Sequence, residues 1–268
     1  LSHRLDLREW TITVIDRCLL HVYQPGLLFL PFRMSGYATQ DDVVRPIEAP
    51  LPPGVRFVPT EVYLIDHARR EVDTDDGIFP YDFLVCAMGC RPAPDEIEAM
   101  APAMGRDVHT FYTLEGALAM QDAIAGMREG RLVVDICEMP IKCPVAPLEF
   151  AFLADSHFRE RGIRDRIEIS LVTPYTGAFT KPNANRILSK VAADKGIHVV
   201  PNFATSAVEV DKKRIRTYDG RTVDYDLLCA IPPNLGPAVI DGSGLGDGAG
   251  YGLTDPRTLK SRKAERIY

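Results

Sequence analysis

Between residues 131 and 200 short apolar runs alternate with helical patterns, and no other feature constrains the fold so strongly. "RLVVDI" (131–136), "IEISLVTP" and "IHVVPN" are β-rich. Between them stand "PLEFAFLADSHFRERG" and "KPNANRILSKVAADKG", each long enough for about four helical turns. Strands joined through a helix run parallel, because the crossover returns the chain to the same end of the sheet. Helices then cover the faces of such a sheet, so its strands read as near-continuous apolar runs. The segment therefore predicts an α/β unit with a parallel sheet.

Flanking segments extend this plan. "EWTITVIDR" reads as a strand ending at Asp16, and "TLEGALAMQDAIAGM" as a helix with Leu114, Leu118 and Ile124 near one face. Residues 56–89, taken as "VRFVPTEVYLID", "REVDTDDG" and "YDFLVCAMG", alternate as a β-meander with a turn at "TDDG". "SAVEVDKKRIRTYDGRTVDYDLLCAIPP" repeats that plan, with a turn at "YDG" and a final apolar strand. The echo predicts two related domains, 1–105 plus 240–268 and 106–239, crossing in the loop-rich "RPAPDEIEAMAPAMGRD".

A net charge of −6 without a dense Lys/Arg run argues against a nucleic-acid partner. "GLLFLPF" is too short to span a bilayer, and no secretory signal is visible. The chain starts without Met and stops in a strand-like pattern, so it reads as cut at both ends. The six cysteines show no CxxC spacing and no histidine at ligand spacing, so no metal site is expected. Cys86 and Cys229 lie in apolar runs and Cys137 ends a strand, as small buried residues do.

The loop "CEMPIKCPVAPLEF" (137–150) occupies the place where a dinucleotide fold carries the glycines that let backbone approach a pyrophosphate. It has none. Pro140, Pro144 and Pro147 stiffen it, and Pro147 suits the first turn of the following helix. Cys143 stands just before that helix, where the dipole favours an anion and a lowered thiol pKa, and Lys142 adds positive charge. Glu149 reads as an N-terminal helix acid or as a proton-handling group. Asp16 reads either as an acceptor for a ribose hydroxyl or as a surface residue closing a strand, and Gly89 as a close-approach or a turn glycine. "DGSGLGDGAGYG" (241–252) mimics a glycine fingerprint, but with no strand before it or helix after it, it reads as a flexible connection.

"VIDR", "YQPGLLFLPF", "YDFLVCAMGCRP", "MPIKCPVAPLEFAFLADSHFRERGIRDRIEISLVTP" and "DLLCAIPPNLGP" together resemble the two-dinucleotide-domain flavoproteins. Within these the chain most resembles the sulfide:quinone oxidoreductase and flavocytochrome c sulfide dehydrogenase group. The resemblance implies an α/β flavoprotein fold of two Rossmann-like domains. The first is expected to be incomplete, because the chain starts after the place of the G-x-G-x-x-G fingerprint. It implies FAD as cofactor, with Asp16, Arg17, Val62, Met88, Gly89 and Pro92 as contacts. It makes Cys143 the redox cysteine that takes up sulfide sulfur, with Lys142 and Glu149 beside it, and sends electrons to a quinone or a cytochrome. A second redox cysteine is expected late in the chain, and Cys90 is a weak match for it. The location implied is cytoplasmic or peripheral to the inner membrane. Two other readings stand beside it. One is an NADH:quinone dehydrogenase-type flavoprotein, disfavoured by the glycine-free loop. The other is a non-catalytic truncated paralogue, and the fragment itself is expected to be inactive, with its flavin cleft empty or partly formed.

Overall fold

All four residues of β1 (Ile12–Ile15) are β-branched, and their stiff side chains favour extended backbone. The computed structural model describes residues 1–268. After β1 the chain forms β2 (Leu20–Val22) and β3 (Val44–Pro46), which pair antiparallel, and then β4 (Val55–Val58). β4 lies parallel to β1, with Ile12 opposite Val55 and Ile15 opposite Val58. β5 (Val62–Asp66), β6 (Glu71–Thr74) and β7 (Gly77–Pro80) follow as an antiparallel meander.

The expected meander is present, but its members differ. Gly77, at φ +114, turns the chain directly after Asp75 and Asp76, so "GIFP" closes the meander instead of "YDFLVCAMG". The latter segment pairs in parallel with the last residues: Leu84 N–H donates to Arg266 O at 2.9 Å and Cys86 N–H to Tyr268 O at 2.7 Å.

The next elements are β8 (Arg91–Pro92), α1 (Leu114–Gly126), β9 (Gly130–Ile136), α2 (Ala146–Glu160), β10 (Ile167–Val172), α3 (Pro182–Asp194) and β11 (Ile197–Val200). β12 (Thr205–Glu209), β13 (Arg214–Thr217) and β14 (Thr222–Asp224) make a second antiparallel meander, and β15 (Leu227–Ile231), β16 (Asn234–Leu235) and α4 (Ala238–Gly242) complete the chain. β11, β10, β9 and β15 lie in that order in one wholly parallel sheet, as the alternation of strand and helix requires. The echo has a structural counterpart too, since each meander is followed by a strand that pairs in parallel.

The chain divides into two units, Leu1–Val22 with Val44–Arg91 and Leu235–Tyr268, and Tyr23–Val43 with Pro92–Asn234. These crossings differ from the expected boundaries at 105 and 239, and residues 23–43 go with the second unit. The reason lies in apolar packing that sequence order hides. Leu27, Leu30 and Phe32, on two 3-10 turns, are buried, and Phe32 meets Phe150 of α2 at 4.8 Å between ring centroids. Gln121 of α1 fastens the same segment, its Nε2 donating to Leu30 O and to Ala38 O. "YQPGLLFLPF" is thus core of the second unit. On α1 the buried face runs through Ala117, Met120, Gln121 and Ile124, while Leu114 and Leu118 are only half-buried, a rotation set by packing on this segment.

The second unit is filled by Val133, Cys137, Val172, Phe203, Ile215, Tyr225 and Leu228 among others. In the first, Ile65, Ile240, Leu245 and Ile267 form a smaller core. The glycine-rich stretch there is ordered, contrary to its reading as flexible. Asp241 accepts the N–H of Gly248 at 2.9 Å and of Gly250 at 2.8 Å, and a Cβ on Gly236 would lie 2.0 Å from Gly250 O. Glycine is needed there for close approach of one backbone stretch to another.

One buried ion cluster anchors α2. The Asp155 side chain has no exposed surface and accepts from Arg159, Arg164 and Lys195. Burial alone would raise its carboxyl, but these three donors outweigh it and hold it down, to about 2. A depressed carboxylate stabilises fully above its unfolded value and loses that contribution as pH falls through the folded one. Asp155→Asn is expected to cost about 3 kcal/mol at pH 7. The gap to the wild type in urea midpoint should shrink between pH 4 and pH 2; a gap constant over that range would count against the cluster.

Candidate functional site around Cys143

The residues nearest the proposed chemistry sit where β9 hands over to α2. β9 is fully buried from Leu132 to Ile136. Asp135 is buried in it, accepting from Thr205 Oγ1 at 2.8 Å and Cys137 Sγ at 3.3 Å, and burial pushes its carboxyl up to about 7. The chain leaves the sheet at Cys137 and re-enters regular structure at Ala146, one residue before the expected helix start, with Pro147 in the first turn. No side chain caps this helix; Ala146 N–H is met by Cys143 O at 3.1 Å.

Cys143 is exposed and takes φ +50. For a residue with a Cβ that left-handed conformation costs about 1 kcal/mol or more, and the following Pro144 narrows the choices further. Surrounding bonds hold it there. Tyr112 Oη donates to Cys143 O at 3.0 Å, and Lys142 N–H donates to Asn234 Oδ1 at 2.8 Å. Lys142 Nζ donates to Gln24 Oε1 at 3.0 Å and lies 5.9 Å from the centre of the Tyr112 ring. Glu149 is exposed on the first turn of α2. The structure thus brings Cys143, Lys142 and Glu149 onto one loop-and-helix start. Gln24, Tyr112 and Asn234 join them. Gln24 and Asn234 lie within "YQPGLLFLPF" and "DLLCAIPPNLGP", where nothing local singles them out, and Tyr112 lies in no such phrase.

The other cysteines separate by environment. Burial pushes the thiols of Cys137, Cys229 and Cys86 up, which leaves them as protonated packing groups at neutral pH. Cys90 is half-buried and hydrogen-bonded with Tyr251. Cys18 is exposed, its N–H donating to Asp16 Oδ1 at 2.8 Å.

Of the expected cofactor contacts, Asp16, Arg17, Val62, Met88 and Gly89 lie in the first unit and Pro92 begins the stretch 92–234 of the second. Asp16 follows β1, its N–H donating to Val58 O at 3.2 Å, at the carboxyl end of the parallel pair, where open α/β sheets receive ligands. Arg17 pairs with Glu61 at 3.1 Å, directly before Val62 at the start of β5. Met88 is exposed, and Gly89 takes φ +71 with no atom within 4 Å of a built Cβ.

The mitochondrial sulfide:quinone oxidoreductase of Dictyostelium discoideum is 26% identical over 278 residues, covering 100% of this chain and 60% of that protein. The crystal structure of the sulfide:quinone oxidoreductase of Aquifex aeolicus superposes with a TM-score of 0.76 at 22% identity, covering 97% of this chain and 62% of that one. Over nearly its whole length this chain is similar to the sulfide:quinone oxidoreductases. It spans about 60% of the length of the curated sulfide:quinone oxidoreductases it matches over nearly its whole length. A type II NADH:quinone oxidoreductase of Staphylococcus aureus is 32% identical, but over 101 residues, 37% of this chain. No protein-family model matches. The fold shared with the sulfide:quinone oxidoreductase is the dinucleotide-binding α/β fold of flavoprotein reductases, as expected from the sequence.

Proposed function

We propose that the protein is an FAD-dependent oxidoreductase that oxidises sulfide at Cys143 and delivers the electrons to a quinone. The observation that carries the reading is the loop 137–145: it is glycine-free and presents an exposed thiol in a held conformation directly before α2. Similarity over the whole of this chain, and 60% of the relative's length, to a sulfide:quinone oxidoreductase supports it. A cytochrome acceptor has no counterpart among those names. No helix is long and apolar enough to cross a membrane.

The first unit suits FAD. Asp16 uses Oδ1 for the Cys18 N–H, leaving Oδ2 for a ribose hydroxyl, and Gly89 opens onto space that a Cβ would not find filled. We assign Asp16, Arg17, the Val62 main chain, Met88 and Gly89 of this unit to holding it. Bound FAD supplies a two-electron acceptor. Cys143 as thiolate joins its Sγ to the sulfur of hydrosulfide. The new S–S bond leaves a persulfide anion on Cys143 and releases one proton and two electrons, which end on the quinone. We assign Glu149 to the proton and Lys142 to the charge near the loop. The glycine-free loop gives no backbone cradle for a nicotinamide dinucleotide, which disfavours an NADH-linked reading.

Anaerobic titration of the FAD-loaded protein decides between the readings. Sulfide is expected to bleach the flavin absorbance stoichiometrically and NADH to leave it unchanged. Bleaching by NADH alone would overturn the proposal, and a spectrum inert to both would mark a non-catalytic scaffold.

A further inference from the structure

The Cys143 loop is held by two side chains that the proposed chemistry does not use. Asn234, wholly buried, binds three points of the chain. Its N–H donates to Pro140 O at 2.6 Å, its Oδ1 accepts the Lys142 N–H at 2.8 Å, and its Nδ2 donates to Pro232 O at 3.2 Å. Pro140, Pro144 and Pro147 have no N–H, so the loop has few donors of its own, and Asn234 engages the one at Lys142. Tyr112 fixes the other end, donating from Oη to Cys143 O. Its ring is 6% exposed and packs edge-on against Phe111 at 4.9 Å, so the hydroxyl is delivered from a rigid base. Burial pushes the phenol far up, with the neighbouring Cys143 thiol adding to it, so Tyr112 remains a donor throughout the working pH range.

These bonds converge on a residue whose backbone would relax without them. Cys143 combines a positive φ with a following proline, and its carbonyl is shared between Tyr112 Oη and the Ala146 N–H that opens α2. The direction of the thiol is tied to that backbone through a single χ1 rotation. A clamp on either side of residue 143 therefore sets where the sulfur points.

We propose that Tyr112 and Asn234 are positioning residues for the Cys143 thiol, a role that rests on the reading of Cys143 as the sulfur acceptor. Neither titrates in the working range, so the clamp holds regardless of the protonation state of the thiol. Loss of either should loosen the loop and leave the rest of the fold in place.

The test uses Tyr112→Phe and Asn234→Ser in the FAD-loaded protein, with two readouts. The first is the rate of iodoacetamide capture at Cys143, followed by peptide mass spectrometry. The second is the limiting rate of sulfide-dependent flavin reduction, separated from the sulfide concentration giving half that rate. Tyr112→Phe keeps the buried ring and removes only the hydroxyl, so it is the variant expected to fold normally. Capture at Cys143 should rise about tenfold, and the limiting rate should fall about tenfold with half-saturating sulfide unchanged. Wild-type capture and a wild-type limiting rate in Tyr112→Phe would overturn the proposal, whatever Asn234→Ser does. Should Cys143→Ser retain sulfide turnover, the sulfur-acceptor reading itself fails. The capture rates would then still report whether Tyr112 and Asn234 hold the loop.

Discussion

Cys143→Ser is expected to lower sulfide-dependent flavin reduction on the order of 10³-fold or more, with FAD content and thermal stability nearly unchanged. The magnitude is that of losing a covalent nucleophile, because a serine hydroxyl is not ionised near neutral pH and forms no persulfide. The absence of a structural cost follows from the site. Residue 143 is exposed and sits at φ +50, and serine has the same unbranched Cβ, so it meets the same backbone cost there. The Tyr112 and Ala146 hydrogen bonds go to the main-chain carbonyl and survive the change. Stopped-flow reduction by sulfide, with the FAD absorbance ratio as the control, checks it. Turnover within a few-fold of wild type would remove Cys143 from the reaction and leave an exposed loop cysteine without a role.

The second large effect is on stability. Phe150→Ala should destabilise the second unit by about 4 kcal/mol. Phe150 is wholly buried on α2, stacked on Phe111 at 4.8 Å with the ring planes 10° apart, and meets Phe32 at 4.8 Å with the planes tilted by 52°. Truncation removes the shared member of a three-ring cluster whose rings come from three distant stretches of sequence. Neither Phe32, on a 3-10 turn fixed by Pro31, nor Phe111, beside the Thr113 cap of α1, can close the gap without moving its backbone. Aromatic pairing adds to the loss beyond the buried area. Phe150→Leu, which keeps much of the volume, should cost less than half as much. Chemical denaturation of both variants checks the order, and equal costs would mean that the ring stack contributes nothing specific.

These two residues, seven positions apart, show what kind of information the sequence carries. Period and composition determined the parallel sheet of the second unit. Apolar β-branched runs separated by helix-length amphipathic segments have few other ways to satisfy their backbone groups and bury their faces. The same local logic reached the helix beginning around Pro147, the placing of Cys143 just ahead of it and the inert, buried cysteines at 137 and 229. A loop without glycine could also be read directly, since the missing residue type is itself a backbone constraint.

What required the tertiary structure was everything set by partners far away in sequence. "GIFP" displaced "YDFLVCAMG" from the meander because a left-handed Gly77 turned the chain early, and the latter strand then paired with residues 266–268. The segment 23–43 joined the second unit because Phe32 and Leu30 found α1 and α2, about 90 to 120 residues downstream, a pairing that no local pattern encodes. Asp241 ordered a glycine-rich stretch whose composition alone suggests freedom. Tyr112 lies in no motif, and Asn234 sits in "DLLCAIPPNLGP" with nothing local to mark it as a partner of the loop. They hold Cys143 because the fold brings "FYT", before one helix, and "PPN", after the last strand of the parallel sheet, to the same proline-stiffened loop. Local sequence sets which conformations a segment can take; which of them survives depends on buried contacts formed only when the chain closes on itself.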